Sequence, residues 1–190
     1  MIDDLIKFKN EVVIITEKLI LKSLTNNDIT NDYISWMNDL IITRYTEQRF
    51  KTHNFLSIKN FLLEMNASPS NLLFRIFFEN KHVGNIKLGS INFVHCTANI
   101  SYLIGSKKYW GKGIATNSIK KISDMGFKKL NLKKITAGIY ANNLASKRVL
   151  EKNDFICEGI RKKQYSFDKE RIDGLIYGKY YSIKTLSSPN

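Results

Sequence analysis

The sequence contains few of the residues that hold metal ions or form disulfide frameworks. Its cysteines are Cys96 and Cys157, and its histidines are His53, His82 and His95. Two cysteines are too few for a disulfide scaffold, and neither they nor the histidines show metal-ligand spacing. We therefore expect reduced, structural cysteines and no metal site.

Long apolar runs are also missing, because no stretch approaches the roughly 20 residues that cross a bilayer. The first residues, "MIDDLIKFKN", are acidic where a signal peptide has a basic region followed by apolar residues. The 190 residues are 43% hydrophobic and 25% charged, which is the range of ordinary globular domains. These features predict one domain over residues 1–190, soluble and cytoplasmic, as a monomer or homodimer without membrane contact.

Acidic residues are few relative to basic ones, and the formal net charge is +13. Such a charge favours anionic partners, of which nucleic acid is the first to weigh. The lysines are spread along the chain instead of forming one stripe, which is also what a solvated surface produces. We expect a preference for anionic small molecules, phosphorylated ones included, and not for nucleic acid.

Hydrophobic periodicity predicts an α/β (α+β) fold, with a mixed, mostly antiparallel sheet of about seven strands and about four flanking helices. The first strand segment can also be a pair of short strands, and a hairpin turn is expected at Asn80 and Lys81. The predicted strands are residues 11–24, 71–80, 81–93, 97–106, 133–140, 155–167 and 170–183, and the predicted helices are residues 25–39, 54–68, 114–130 and 142–153.

A glycine pair, Gly111 and Gly113, lies between the fourth of these strands and the third helix in "KKYWGKGIATNSIK". Glycines before a helix start let an anion approach unpaired backbone NH groups at the positive end of the helix dipole. A tight turn that merely opens the helix is the alternative. The P-loop pattern is absent, and Thr116 occupies the place of the third glycine of the dinucleotide fingerprint.

Two motifs resemble those of the GCN5-related N-acetyltransferases (GNAT). "KYWGKG" is similar to the R/Q-x-x-G-x-G/A signature of that family, with Lys108 in first place. About thirty residues later, "NLASKRVLEKNDF" resembles N-x-x-[AS]-x-x-x-x-x-x-x-G-F, with Asn143, Ser146 and Phe155 in register and Asp154 in place of the glycine. The resemblance covers about residues 12–183 and extends to the branch of ribosomal-protein N-terminal acetyltransferases.

The resemblance implies acetyl-CoA as the donor. In the family, the strand before the turn splays from its neighbour, pairs with the pantetheine arm and polarises the thioester carbonyl. By register this strand end is Tyr102, Leu103 and Ile104, and one of their NH groups is implied to polarise the carbonyl; we assign this role to Leu103. Asn143 can also be a plain helix cap. The implied cofactor-binding residues are Tyr102, Leu103, Ile104, Lys108, Tyr109, Trp110, Gly111, Lys112, Gly113, Ile114, Ala115, Thr116, Asn143 and Ser146.

The catalytic acid and base are less clearly marked. Many relatives carry a tyrosine seven residues after the motif asparagine, where this chain has Leu150, so the resemblance nominates Ser146 as the acid. A serine that bonds the helix backbone is the alternative. Glu47 is the candidate base, with a solvated loop charge as its alternative, and His82, on a predicted hairpin turn, is a weaker candidate.

The segment "YISWMNDLIITRYTEQRF" resembles family members that acetylate a nucleotide-linked amino sugar in surface-polysaccharide pathways. Arginines suit a diphosphate and aromatic rings suit a base or sugar, although Trp36 and Phe50 can also be core residues. The alternatives are a protein amino terminus as the acceptor and a non-catalytic CoA- or RNA-binding module. The candidate substrate-binding residues are Trp36, Arg44, Tyr45, Glu47 and Arg49.

Overall fold

The computed structural model describes residues 12–181, which form one eight-stranded sheet with helices on both faces. The strands are β1 (Val13–Ile14), β2 (Leu19–Ser23), β3 (Leu72–Phe78), β4 (Lys81–Asn92), β5 (Thr97–Ile104), β6 (Lys134–Tyr140), β7 (Ile156–Phe167) and β8 (Glu170–Tyr180). The helices of the described residues are α1 (Asn31–Asn38), α2 (Phe55–Ala67), α3 (Ile114–Lys129) and α4 (Leu144–Glu151).

The sheet order is β1-β2-β3-β4-β5-β6-β8-β7, and every neighbouring pair is antiparallel except β5 with β6. The predicted mixed, mostly antiparallel sheet with four helices is confirmed. Eight strands replace about seven because the first segment folds as two short strands around Thr16, whose hydroxyl accepts the NH of Leu19. The predicted end of the last strand at residues 182–183 lies outside the described residues.

Local signals explain the other differences from the predicted elements. Residues 25–39 were expected to form one helix, but Thr25 opens a separate 3-10 turn, Asn26–Asp28, and Thr30 caps α1 by accepting the NH of Tyr33. The β3–β4 hairpin turns at Glu79 and Asn80, one residue earlier than predicted, and both residues have positive φ. Positive φ at both central residues is the requirement of the tight hairpin turn that matches strand twist.

Alternate residues of the central strands face two separate cores. Phe74 of β3 and Ile100 of β5 pack with Ile122 of α3 in the larger core. Leu73, on the other face of β3, packs beside Leu62 of α2 in the smaller core. The helices α3 and α4 therefore cover one face of the sheet, while α1 and α2 cover the other. None of the helices within residues 12–181 combines the length and the apolarity needed to cross a membrane.

The sheet opens between its two parallel strands. β5 pairs with β6 only over Thr97–Asn99 and Lys134–Thr136, whereas β5 stays paired with β4 up to Ile104. β6 in turn stays paired with β8 up to Tyr140. The ends of β5 and β6 therefore diverge, and a wedge-shaped gap separates residues 100–104 from residues 137–140.

Candidate active site

The glycine turn lies at the wide end of this gap. β5 runs into a 3-10 turn, Lys107–Tyr109, and then through Gly111 and Gly113 into α3. Both glycines have left-handed φ, +76° and +73°, a conformation that glycine adopts without strain. The indole Nε1 of Trp110 donates to the carbonyl oxygen of Ile104 at 2.8 Å, which fixes the turn against the end of β5.

The space above the turn is open to a ligand. A Cβ placed on Gly111 would have no atom within 4 Å, and one on Gly113 would meet only the Asn117 amide at 3.8 Å. The first i−4 hydrogen bond of α3 runs from the NH of Asn117 to the oxygen of Gly113. The NH groups of residues 114–116 therefore face this space without an intrahelical partner, an arrangement that suits a phosphate. The geometry fits the pyrophosphate of CoA.

Basic side chains flank the turn. The ammonium groups of Lys108 and Lys112 lie 5.0 and 5.1 Å from the ring centre of Tyr109, which is itself buried. Lys107 is instead paired with Asp39 at 2.7 Å, and this hydrogen bond lowers the pKa of that carboxyl group. Tyr109 and Ile114 point their side chains into the core, so only their backbone groups are available to a cofactor.

The register of β5 corrects the assignment of the polarising NH group. Leu103 is paired with Asn85 of β4, and the NH of Gly105 donates to the oxygen of Val83. Because backbone groups in antiparallel pairs alternate in direction, the NH of Leu103 points towards β4. Those of Tyr102 and Ile104 point into the gap. The NH of Leu103 therefore cannot polarise a carbonyl bound in the gap. The NH groups of Tyr102 and Ile104 are the donors available for this carbonyl.

The second motif begins α4 on the opposite side of the gap. The side chain of Asn143 caps the helix by accepting the NH of Ser146 at 3.1 Å. The hydroxyl of Ser146 accepts a hydrogen bond from Tyr102 Oη at 3.0 Å. Leu150, at the position of the family tyrosine, is 1% exposed and packs in the core. Asp154, which replaces the motif glycine after α4, has a left-handed φ of +61°.

One residue that joins the two motifs was missed in the sequence. Asn153 is buried and donates its amide group to the oxygen of Thr116 at 3.1 Å and to that of Val149 at 2.9 Å. It therefore ties the end of α4 to the first turn of α3. Its place inside the second motif was the available signal, but a single asparagine does not reveal a partner 37 residues away.

A cleft of about 530 Å³ lies on the other face of the sheet, between α2 and the splayed end of β5. Its lining includes Tyr33, Phe61, Asn85, Ser101 and Leu103. The positions come from four separate elements, and their sequence pattern is that of ordinary amphipathic helices and strands. For this reason the cleft was not predicted. The predicted substrate-binding residues are not among those that line it.

Trp36 was a candidate for stacking on a base or sugar, but it is 8% exposed. Its ring packs edge-on to His82, with the centroids 5.1 Å apart, and fills the space left by Gly105. This burial supports the alternative, a core role. Phe50, in contrast, is exposed. The four other candidate substrate-binding residues lie away from Trp36.

Arg44, Tyr45, Glu47 and Arg49 gather against the end of β7. Arg44 and Arg49 line a second cleft, of about 450 Å³, together with Phe167. The Tyr45 ring stacks on Phe167 at 5.4 Å between centroids. The guanidinium groups lie 4.8 and 5.2 Å from the centre of the Phe167 ring. Phe167 was not singled out in the sequence, because only the fold brings it to this segment.

Glu47 is held in place by a tyrosine across the gap from β5. Tyr140, at the end of β6, donates its hydroxyl to Glu47 Oε1 at 2.6 Å and stacks on Tyr165 at 3.9 Å. Burial, followed by the bond to Glu47, raises the pKa of Tyr140, so its hydroxyl remains a donor. The carboxylate is thus bonded at one edge of the gap, while the residue stays exposed to solvent.

His82 lies next to the hairpin turn, with its ring among Tyr33, Trp36 and Phe77. Its Nε2 lies 2.8 Å from the amide oxygen of Asn85. Burial lowers the pKa of His82 and keeps the ring neutral. Within residues 12–181, no group of three or more histidine, cysteine or acidic side chains is arranged to hold a metal ion.

Comparisons with known proteins agree with this geometry. The family model described as an acetyltransferase (GNAT) domain matches residues 18–156. The chain is 27% identical over 173 residues to the "Uncharacterized N-acetyltransferase p20" of Bacillus licheniformis, a match that covers 87% of this chain and 91% of the relative. It is 45% identical over 67 residues to the "Probable N-acetyltransferase YjcK" of Bacillus subtilis (strain 168), over 35% of this chain and 36% of that one.

A match of 35% identity over 81 residues, 43% of each chain, joins it to the spermidine N(1)-acetyltransferase of Escherichia coli (strain K12). Among solved structures, RimL, a ribosomal L7/L12 alpha-N-protein acetyltransferase in complex with coenzyme A, superposes with a TM-score of 0.81. That pair covers 90% of this chain and 98% of RimL at 15% identity, so this likeness shows the fold alone. The family match, extending over most of the chain, establishes that it belongs to the GNAT family and is an acyltransferase that uses acetyl-CoA as its donor.

Proposed function

We propose that this enzyme acetylates the primary amine of a small anionic acceptor, and that the acceptor is a nucleotide-linked amino sugar of a surface-polysaccharide pathway. The observation that carries the proposal is the cluster of Arg44 and Arg49 beside stacked aromatic rings, at the rim of the second cleft. Guanidinium groups match the geometry of phosphate oxygens, and aromatic faces match a base or a sugar. Residues 1–190 act as one cytoplasmic domain in this proposal.

Charge separates this acceptor from two alternative acceptors, a polyamine and a basic protein. Along the 530 Å³ cleft, Lys51 and Lys87 outnumber the single carboxylate, Glu64. The whole chain carries a formal charge of +13. A polyamine such as spermidine would be repelled by this field, and so would the amino terminus of a basic protein. An anionic acceptor is attracted by the same field.

The proposed mechanism uses groups on both sides of the gap. Acetyl-CoA supplies the acetyl group as a thioester, and the C–N bond to the amine forms while the C–S bond breaks. The NH groups of Tyr102 and Ile104 donate to the carbonyl oxygen. Glu47, held by Tyr140, accepts the proton of the amine through water. Ser146 donates a proton to the departing sulfur.

A thiol-release assay tests the acceptor. Purified enzyme receives acetyl-CoA and, in separate reactions, a UDP-linked amino sugar, the same amino sugar without UDP, spermidine, or a basic peptide with a free amino terminus. We expect the highest kcat/KM with the UDP-linked sugar. Faster turnover of spermidine or of the peptide would contradict the proposed acceptor while leaving the acetyl-CoA-dependent activity in place.

Arg44→Gln tests the arginine cluster directly. Arg44 is half exposed, and its ion pair with Asp168 lies on the surface, so its loss should cost little stability. We expect KM for the UDP-linked sugar to rise about 10-fold, which corresponds to about 1.4 kcal/mol. KM for the free amino sugar should not change. Lys128→Gln, with the same loss of charge at the far end of α3, is the control. Equal effects of the two variants would point to overall charge instead of a specific contact.

A further inference from the structure

The hydroxyl groups of Tyr102 and Ser146 meet across the gap, one from β5 and one from the first turn of α4. Their oxygen atoms are 3.0 Å apart, and the phenol is the donor. Tyr102 is one of the splayed residues of β5, and its side chain packs on the larger core. The pair therefore lies on the α4 side of the gap, where the proposed mechanism places the departing thiolate.

The donor direction determines where the proton of Ser146 can go. A serine hydroxyl has one proton to donate, and the Ser146 hydroxyl already accepts a hydrogen bond from Tyr102. The backbone NH of Ser146 is occupied by the cap from Asn143. Within residues 12–181 the Ser146 hydroxyl donates to no protein group, so the alternative of a serine that bonds the helix backbone is not realised. Its proton remains available to a ligand.

The phenol also solves a chemical difficulty of serine as an acid. A serine that gives up its proton alone would become an alkoxide, which is far more basic than the thiolate it serves. A tyrosine hydroxyl is much more acidic, with an ordinary pKa near 10. Burial, offset in part by the bond to Ser146, raises the pKa of Tyr102, so the phenol keeps its proton until the thiolate forms.

We propose that Tyr102 is a positioning residue and the proton source behind Ser146, replacing the tyrosine that many relatives carry at the position of Leu150. As the C–S bond breaks, the proton of Ser146 moves to sulfur and the proton of Tyr102 moves to Ser146 Oγ. Ser146 is a hydroxyl before and after the step. The phenolate then takes up a proton from water when the products leave. This inference rests on the proposed role of Ser146 but not on the identity of the acceptor.

Tyr102→Phe tests the relay because it removes one oxygen atom and leaves the ring in its packing. We expect kcat to fall about 10- to 100-fold, within the usual range for acid catalysis, with unchanged KM for acetyl-CoA. Ser146→Ala should give a similar or larger loss. The double variant should be no slower than Ser146→Ala alone, because the two groups act in series. Independent, multiplying losses would overturn the relay, as would an unchanged kcat in Tyr102→Phe.

Tyr177→Phe is the matched control. Tyr177 is also buried and also donates its hydroxyl to α4, to Glu151 at 3.3 Å. Its change should leave kcat unaffected. If Tyr177→Phe lowered kcat as much as Tyr102→Phe, any buried tyrosine hydroxyl bonded to α4 would matter, and the role assigned to Tyr102 would be overturned. Melting temperatures of all variants separate loss of folding from loss of chemistry.

Hydroxylamine as the acceptor makes this test independent of the proposed function. This small amine needs no acceptor cleft, yet its acetylation still releases the thiolate. Failure of the UDP-linked sugar alone would contradict the proposed acceptor and leave the relay intact. A solvent deuterium isotope effect on kcat should decrease in Tyr102→Phe, because one of two moving protons is removed. An unchanged effect would count against the relay.

Discussion

Replacing Gly113 with valine should reduce the affinity for CoA about 100-fold, which corresponds to about 2.7 kcal/mol. Gly113 precedes α3 with φ of +73°, and the protein leaves its Cβ position free except for the Asn117 amide at 3.8 Å. A branched side chain would therefore occupy the space in which an anion meets the helix NH groups. Calorimetric titration with CoA measures the loss.

Strain and obstruction can be separated at the same position. Valine disfavours left-handed φ and should also destabilise the fold by about 1–3 kcal/mol. Gly113→Asn keeps a side chain but tolerates this φ, so its stability should stay near that of the wild type while its CoA affinity remains low. Gly159→Ala, which adds a methyl group in open space on β7, should change neither. Unchanged CoA affinity in Gly113→Val would remove this turn from the cofactor site.

Replacing Gly105 with alanine should destabilise the fold by about 3 kcal/mol or more, the upper part of the range for overpacked cores. A Cβ at this position would overlap the ring of Trp36. The backbone cannot easily retreat, because the NH of Gly105 donates to the oxygen of Val83 at 2.9 Å. Trp36 cannot easily move either, because it packs against Tyr33 and His82. Urea unfolding measures the loss.

Trp36→Ala tests whether the overlap with the Trp36 ring causes the loss of stability in Gly105→Ala. Trp36→Ala alone should be destabilising through the cavity it leaves. Combined with Gly105→Ala it should cost less than the sum of the two, because the methyl group then enters the vacated space. Gly138→Ala, with no atom within 4 Å of its Cβ, is the neutral control. A Gly105→Ala protein as stable as the wild type would mean that Trp36 packs elsewhere.

Features predicted correctly from the sequence depend on neighbours along the chain. The turn at Gly111 and Gly113 and the cap by Asn143 are of this kind, since helix starts and tight turns carry local signals. The direction of the Leu103 NH group, towards β4 or towards the gap, could not be obtained in this way. It depends on which residue of β4 lies opposite, and a one-residue shift exchanges the groups that face the gap.

The proposed acceptor site illustrates the same limit. Arginine and aromatic residues between residues 36 and 50 were recognised, but their partners Tyr140 and Phe167 lie about a hundred residues away. Trp36 and Tyr45 have similar chemistry in the sequence. One is buried against Gly105 and the other stacks at the rim of a cleft. Burial of this kind is a property of the whole fold and has no local pattern.

The narrow contact between β5 and β6 also has a mechanical meaning. Three residue pairs, Thr97–Asn99 with Lys134–Thr136, join a five-stranded half of the sheet, β1 to β5, to a three-stranded half, β6 to β8. An extended molecule that fills the gap would pair with both edges as an added strand does. Donor binding would then stiffen the junction between the halves and stabilise the native state as a whole.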